Sequence, residues 1–306
     1  MNIKLLPKLL CLKEGKDVIP FVIGVLQKYY DNCATDNDNY LLFLNPKSTS
    51  LLQAHIDTVK REEKYELFVR NEVIFSNGVL GADDRAGVWG IIKLVEMCIE
   101  RKIEPPSVLF TNYEESGSGG MKEFVKQKVD FKHVKMAIAM DRKGCGHYVT
   151  YNHLAKEVER YMATFGWRDQ NGSFSDISLF TDEYLIPSVN VSIGYHSEHT
   201  KSETLNLDEL FMAVNRVYKM LKFPIKHLYP SKKKYVYDWT ESDTYKNYYG
   251  GAWDSKLKDY SSARYRSTCD FCGVNGMVNY VIPLKERLCD TCYDAWFLNV
   301  KTGVCP

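Results

Sequence analysis

Short apolar strands alternate with amphipathic helices from residue 17 to residue 222, and this alternation constrains the fold more than any other feature. It favours an α/β domain whose central sheet is largely parallel. We therefore predict a three-layer α/β/α fold with a mixed, largely parallel sheet. The predicted strands are 40–44, 51–55, 107–111, 135–140 and 188–193, with a hairpin over 65–75, and the predicted helices are 17–30, 81–99, 121–128, 153–165 and 207–221.

One predicted strand, in the stretch LLQAHIDTV (51–59), ends in a His-x-Asp pair. The period of two along a strand places His55 and Asp57 on the same side, so the carboxylate can orient an imidazole that binds a metal. Sites in parallel sheets gather beyond the carboxyl ends of the strands. Further ligands are therefore expected at the ends of the other strands.

Five candidate ligands follow predicted strands or open a helix: His55, Asp83, Glu115, Asp141 and His199. Two imidazoles and three carboxylates suit two zinc-like ions that share one carboxylate and keep positions for water and substrate. Glu114 would point away from its neighbour and could accept a proton from the attacking water.

Each candidate also has an ordinary interpretation. Asp83 opens a helix, where an aspartate is usually an N-cap. Glu114 and Glu115 precede a glycine-rich turn and could form a solvated loop, and His199 could simply be exposed. His196 is an alternative ligand to His199. A chance coincidence of all five residues in this order is improbable, so the metal interpretation is favoured.

Five motifs in the same order resemble the co-catalytic di-zinc exopeptidases, the superfamily of bacterial aminopeptidases, tripeptidases and related deacylases. The resemblance covers about residues 40–222. The motifs are HxD at 55–57, GADDRAG at 81–87, NYEESGSGG at 112–120, AMDRKG at 139–144 and GYHSEHTKSE at 194–203.

The resemblance implies a role for each matching residue. His55 and Asp141 would hold one metal, Glu115 and His199 would hold the other, and Asp83 would bridge them. Two further catalytic residues are implied, Glu114 as general base and Asp57 as the partner of His55. The resemblance also implies a cis peptide bond between Asp83 and Asp84, while Tyr195 and Arg142 are candidates for contact with the substrate or an oxyanion.

The chain lacks the insertions found in some members of this superfamily. The segment between Asp141 and His199 is too short for a lid or dimerisation domain, and the 27 residues between His55 and Asp83 are too few for a small barrel. We therefore expect a reduced catalytic domain over residues 1–225.

The last part of the chain carries a second metal signature. Two CxxC pairs, separated by sixteen residues, predict a structural zinc site in a zinc-ribbon or treble-clef module over 265–306. The module either serves only to stabilise its own fold or also binds a protein partner. Residues 226–264, rich in tyrosine and lysine, would form a linker or a docked extended segment. The predicted ligands are Cys269, Cys272, Cys289 and Cys292.

Charge and composition exclude several classes of partner. A net charge of +1 gives no reason to expect nucleic acid or an anionic membrane. No apolar run approaches the roughly 20 residues that span a bilayer, and we expect no secretory signal. The five cysteines outside the CxxC pairs fit reduced thiols, which favours the cytoplasm.

The residues therefore predict a zinc-dependent hydrolase that cleaves an amide bond, most simply as an aminopeptidase-like metallopeptidase. Two zinc ions would be catalytic and one structural, and the catalytic pair is expected to accept cobalt or manganese. The substrate would be a peptide or a small amide. The alternatives are a deacylase or amidase that acts on a non-peptide conjugate, and an inactive binding or adaptor protein that retains the fold.

Overall fold

The computed structural model describes residues 3–36, 38–59, 66–151, 156–172, 174–225, 264–268, 275–281 and 286–289. The chain divides into two compact units, one of Met1–Pro230 with Gly303–Pro306 and one of Ser231–Thr302. The predicted boundary between a catalytic domain and a linker at residue 226 stays a prediction, because nearly all of the linker lies outside the described residues.

The helices and strands of the described residues follow the predicted alternation. The helices are α1 (Leu5–Cys11), α2 (Gly15–Leu26), α3 (Ala82–Glu100), α4 (Gly119–Lys126), α5 (Lys156–Thr164), α6 (Asp176–Tyr184) and α7 (Leu207–Lys222). The strands are β1 (Asn32–Thr35), β2 (Tyr40–Leu44), β3 (Ser50–His55), β4 (Leu67–Arg70), β5 (Val73–Ser76), β6 (Ser107–Thr111), β7 (Met136–Arg142), β8 (His147–Tyr151), β9 (Arg168–Asp169), β10 (Ser188–Ser192), β11 (Tyr195–His196), β12 (Thr204–Asn206), β13 (Arg264–Thr268), β14 (Asn275–Val281) and β15 (Glu286–Cys289).

The central sheet has eight strands in the order β1-β2-β6-β3-β7-β10-β8-β9. Its four middle strands, β6, β3, β7 and β10, are mutually parallel, whereas β1, β2 and β8 run antiparallel to their inner neighbours. In this register His55 pairs with Thr111, so the carboxyl ends of β3 and β6 lie side by side. The prediction of an α/β fold with a mixed, largely parallel sheet is confirmed.

The sheet separates two apolar clusters. Leu52 and Ala54 of β3 belong to a cluster that also contains the buried residues of α1, α2, α3 and α7. Leu51 belongs to a second cluster on the opposite face, with residues of α4 and α6. Because alternate residues of one strand reach opposite faces, helices cover the sheet on both sides, as in a three-layer fold.

Gly87, in the second turn of α3, lies close against the backbone of β7. A Cβ there would lie 2.1 Å from Met140 O and 2.4 Å from Asp84 Oδ1. We expect Gly87→Ala to lower the free energy of unfolding by roughly 1–3 kcal/mol or more, because this tightly packed region must move. The matched control is Gly24→Ala in α2, where a Cβ meets nothing within 4 Å. Urea unfolding of both variants tests this, and equal stability would contradict it.

Some elements were not expected from the sequence. α1 contains Pro7, which interrupts the apolar pattern, and β1 is exposed for most of its length. A second sheet, in the order β11-β12-β5-β4, joins the predicted hairpin to two short strands that flank the loop of His199. Strand pairing between distant segments, rather than local pattern, creates this support for the loop.

The second unit contains an antiparallel sheet of β13, β14 and β15. Cys269, Cys272 and Cys292 lie outside the described residues, and of the predicted zinc ligands only Cys289 falls within a described strand, at the end of β15. The zinc module therefore stays a prediction.

Cys11, Cys33 and Cys98 are free, whereas Cys145 is disulfide-bonded, so the expectation of reduced thiols is wrong for Cys145. None of the described helices combines the length and the apolar composition that crossing a bilayer requires.

Candidate metal centre

The other four predicted ligands lie around the carboxylate of Asp83, at the start of α3. One of its oxygens, Oδ1, lies 3.0 Å from His55 Nε2, and the other, Oδ2, lies 3.2 Å from His199 Nε2. The two imidazoles therefore approach Asp83 through different oxygens. A carboxylate placed in this way can serve two neighbouring sites at once.

Each imidazole is also close to one further carboxylate. His55 Nε2 lies 3.4 Å from Asp141 Oδ1, and His199 Nε2 lies 2.8 Å from Glu115 Oε1. The result is two groups of three, in each of which the ligand atoms lie within 4.8 Å of one another. Imidazole nitrogen and carboxylate oxygen are ligands that zinc accepts, so the residues present fit two zinc ions that share Asp83.

Asp57 connects the two halves of the centre. Its Oδ1 lies 3.4 Å from His55 Nδ1, the nitrogen that faces away from Asp83. The same carboxylate accepts hydrogen bonds from the backbone N–H groups of Glu114 and Glu115, each at 3.1 Å. Asp57 therefore orients the imidazole of His55 and positions the loop that carries the two glutamates.

Glu203 explains how the chain presents Asp83. Its carboxylate accepts hydrogen bonds from the backbone N–H groups of Gly81 at 2.8 Å and of Asp83 at 3.1 Å, and the residue is only 1% exposed. The peptide bond between Asp83 and Asp84 is cis, as the resemblance implied. Glu203 ends the motif GYHSEHTKSE, but the motif by itself does not predict these two contacts.

Asp84 was also missed. Its Oδ2 accepts a hydrogen bond from His55 N at 3.2 Å, and its Oδ1 accepts one from Gly87 N at 3.0 Å. Complete burial, together with the negative charge of Asp141, raises the pKa of Asp84 well above its usual value. An aspartate next to a predicted ligand gives no separate signal in the sequence.

The charges of the centre require a positive counterpart. Burial is the largest single effect on the pKa of His55 and lowers it, but the charge of Asp141 together with hydrogen bonds to Asp141, Asp57 and Asp83 raises this pKa well above its usual value. Hydrogen bonding to Asp83 raises the pKa of His199 to about 9. Zinc ions held by these residues would place positive charge among the same carboxylates.

Glu114 belongs to neither group of three, although its backbone is fixed by Asp57. Burial raises the pKa of its carboxyl to about 8, and the charges of Asp141 and Asp176 act in the same direction. A cation bound at Asp83 would lower this value, because positive charge favours the carboxylate. Asp176, in the first turn of α6, is fully buried and was not identified from the sequence.

Three other candidates occupy different places. His196 pairs with Glu209 at 2.7 Å and belongs to neither group, so His199 is the better ligand. Tyr195 is buried, with its hydroxyl 3.4 Å from Asp141 Oδ1. The guanidinium of Arg142 donates to Gln170 Oε1 at 2.9 Å and Asn171 O at 3.0 Å.

The sequence matches the family described as Peptidase family M20/M25/M40 over residues 51–222, which is more than half of the chain. A search of curated proteins found no match.

Several solved structures share the fold. One is the aminopeptidase PepT from Bacillus cereus, with 14% sequence identity, a TM-score of 0.60, and coverage of 72% of this chain and 96% of that chain. A tripeptidase from Staphylococcus aureus has 15% identity, a TM-score of 0.59 and the same coverage. An aminopeptidase from the archaeon Desulfurococcus kamchatkensis has 13% identity, a TM-score of 0.56, and coverage of 72% and 94%.

Proposed function

The chain belongs to the peptidase family M20/M25/M40, and from that premise we propose that it is a di-zinc, aminopeptidase-like hydrolase that cleaves an amide bond. One observation carries the proposal: the two oxygens of Asp83 face two separate groups, one with His55 and Asp141 and one with Glu115 and His199. A shared carboxylate between two sets of zinc ligands is the arrangement that a pair of hydrolytic metal ions uses.

Zinc ions held by these residues would supply Lewis-acid chemistry, activating water and polarising the scissile carbonyl. Glu114 accepts the proton of the attacking water and returns it to the leaving amine. Asp57 keeps both His55 and the backbone of Glu114 in place through the contacts described above. In this way one carboxylate couples the position of the base to the position of a metal ligand.

The aminopeptidase proposal is tested by hydrolysis of substrate panels with the zinc-loaded full-length chain. One panel holds aminoacyl-anilides and short peptides with a free amine, and the other holds acyl-amino acids and non-peptide amides. Preferential cleavage of the first panel supports an aminopeptidase, and preferential cleavage of the second would indicate a deacylase or amidase. Cleavage of neither, with two zinc ions bound at the centre, would favour an inactive binding protein.

Metal analysis gives an independent prediction. We expect about three zinc ions per chain, two at the pair of groups around Asp83 and one at the predicted cysteine module. Chelation should abolish activity, and added zinc, cobalt or manganese should restore it. Inductively coupled plasma mass spectrometry of the purified chain checks the stoichiometry. A total of one zinc per chain would contradict the proposal of a catalytic pair.

The predicted cysteine module also suggests a protein partner for the full-length chain. Binding of a partner by this module is independent of the proposed catalytic activity. Loss of the module in a Cys272→Ser variant should remove one zinc and leave the two catalytic ions bound.

A further inference from the structure

Ser175 occupies the N-cap position of α6 but does not act as a cap. Serine at that position normally accepts a hydrogen bond from the first turn of the helix, yet the side chain of Ser175 makes no such bond. Its hydroxyl instead donates to Asp141 Oδ2 at 3.0 Å, and the residue is only 3% exposed. The side chain is therefore directed at a predicted metal ligand rather than at its own helix.

Asn190, on β10, contacts the same aspartate from the neighbouring strand. The parallel pairing of β10 with β7 is irregular at one point. The register shifts between Asn190 and Ser192, opposite Asp141. The side chain of Asn190 compensates for this irregularity: its Oδ1 accepts from Asp141 N at 3.0 Å, and its Nδ2 donates to Asp141 O at 2.7 Å. One amide thus hydrogen-bonds both backbone polar groups of Asp141 beside the shift in register.

These two side chains also distinguish the oxygens of Asp141. Oδ2 is contacted by Ser175 Oγ, and by Asn190 Nδ2 at the longer distance of 3.5 Å. Oδ1 is the oxygen that lies 3.4 Å from His55 Nε2, on the side of Asp83. The carboxylate is therefore held with Oδ2 bonded to Ser175 and Asn190, while Oδ1, which also lies 3.4 Å from the Tyr195 hydroxyl, is directed into the group of predicted ligands.

We propose that Ser175 and Asn190 are positioning residues that hold Asp141 with Oδ1 directed at the metal it shares with His55 and Asp83. The inference rests on the proposed di-zinc function. The two side chains also hydrogen-bond with each other, Asn190 Nδ2 to Ser175 Oγ at 3.3 Å, so they act as one unit.

If Ser175 served only to stabilise α6, its substitution would lower the stability of the helix and leave the zinc affinity unchanged. Because Ser175 caps no backbone N–H, its loss should not weaken α6 in the way that loss of a cap does. Loss of a partner that orients a metal ligand instead typically weakens metal binding by about 10–100-fold. Metal affinity and helix stability therefore separate the two roles.

The test compares Ser175→Ala, Ser175→Thr and Ser188→Ala in the full-length chain. Ser188 is the matched control, because it is buried on the same strand as Asn190 and its hydroxyl donates to Ile186 O, two residues before the strand begins. Zinc affinity is measured by competition with a chromophoric chelator, and kcat and KM are measured with the best substrate of the panels. The cysteine module is the same in every variant, so differences report on the catalytic pair.

We expect Ser175→Ala to weaken one zinc site by about 10–100-fold and to lower kcat more than it raises KM. Ser175→Thr keeps the hydroxyl and should recover most of the affinity, while Ser188→Ala should match the wild type. If Ser175→Ala binds zinc as tightly as Ser188→Ala does, the inference is wrong.

Asn190→Asp provides a second and nearly isosteric test. It replaces the donating Nδ2, which lies 2.7 Å from Asp141 O, with an oxygen that repels both that carbonyl and the carboxylate. We expect a larger loss of zinc affinity than with Ser175→Ala. Wild-type affinity in Asn190→Asp would also contradict the inference. If the wild-type chain itself binds no zinc pair, the proposed function fails instead, so the two failures are distinguishable.

Discussion

Glu114→Gln is expected to lower kcat by about 10²–10⁴-fold while leaving the zinc content and the fold unchanged. The amide has nearly the shape of the carboxyl but cannot accept a proton from water. Glu114 lies outside both groups of ligands, so its replacement removes no ligand from either metal. The hydrogen bond from its backbone N–H to Asp57 Oδ1 is also retained.

The control for this substitution is Glu123→Gln on α4, which removes only the surface ion pair with Lys126. Surface pairs of this kind contribute about 0–1 kcal/mol to stability, so the control should keep wild-type activity. Steady-state kinetics and zinc analysis of both variants decide the outcome. If Glu114→Gln retains more than half of the wild-type kcat, Glu114 is not the general base.

Asp83→Asn is expected to have a still larger effect. An amide offers one ligating oxygen, so at least one of the two groups loses a ligand when Oδ1 and Oδ2 are no longer equivalent. We expect loss of at least one zinc ion. Activity should fall by more than about 10⁴-fold, because Lewis-acid stabilisation worth several kcal/mol disappears together with the activation of water.

The matched control for Asp83→Asn is Asp208→Asn, an exposed residue in the first turn of α7. It changes the same functional group but should cost at most about 1 kcal/mol through the helix dipole, with no effect on zinc binding. Zinc stoichiometry after dialysis and circular dichroism distinguish metal loss from unfolding. Retention of both catalytic ions in a folded Asp83→Asn chain would refute the shared-carboxylate arrangement.

The order of strands, helices and polar strand ends could be predicted because each depends on residues close together in the chain. β2 and β6 have the predicted bounds, and α7 extends one residue beyond its prediction. The side chains that form the two groups of ligands are those singled out beforehand, because histidine and carboxylate are uncommon directly after a buried strand.

The residues around the ligands could not be predicted in the same way. Glu203, Asp84, Ser175 and Asn190 are ordinary residue types whose contacts depend on distant segments. Ser175 even has a local pattern that indicates a helix cap, and only the approach of β7 to α6 redirects its hydroxyl. Likewise, the amide of Asn190 has its role only because the register of two strands shifts beside it.

The sequence alone therefore determined the fold class, the alternation of elements and the identity of the candidate ligands, because strand and helix periodicity and residue chemistry are local properties. Only the tertiary structure decided which oxygen of Asp83 meets which imidazole, and which neutral donors hold Asp141. Those choices depend on the packing of segments far apart in the chain, and on backbone irregularities that appear only when the strands pair. The direction of a side chain at a site is a property of the assembled sheet.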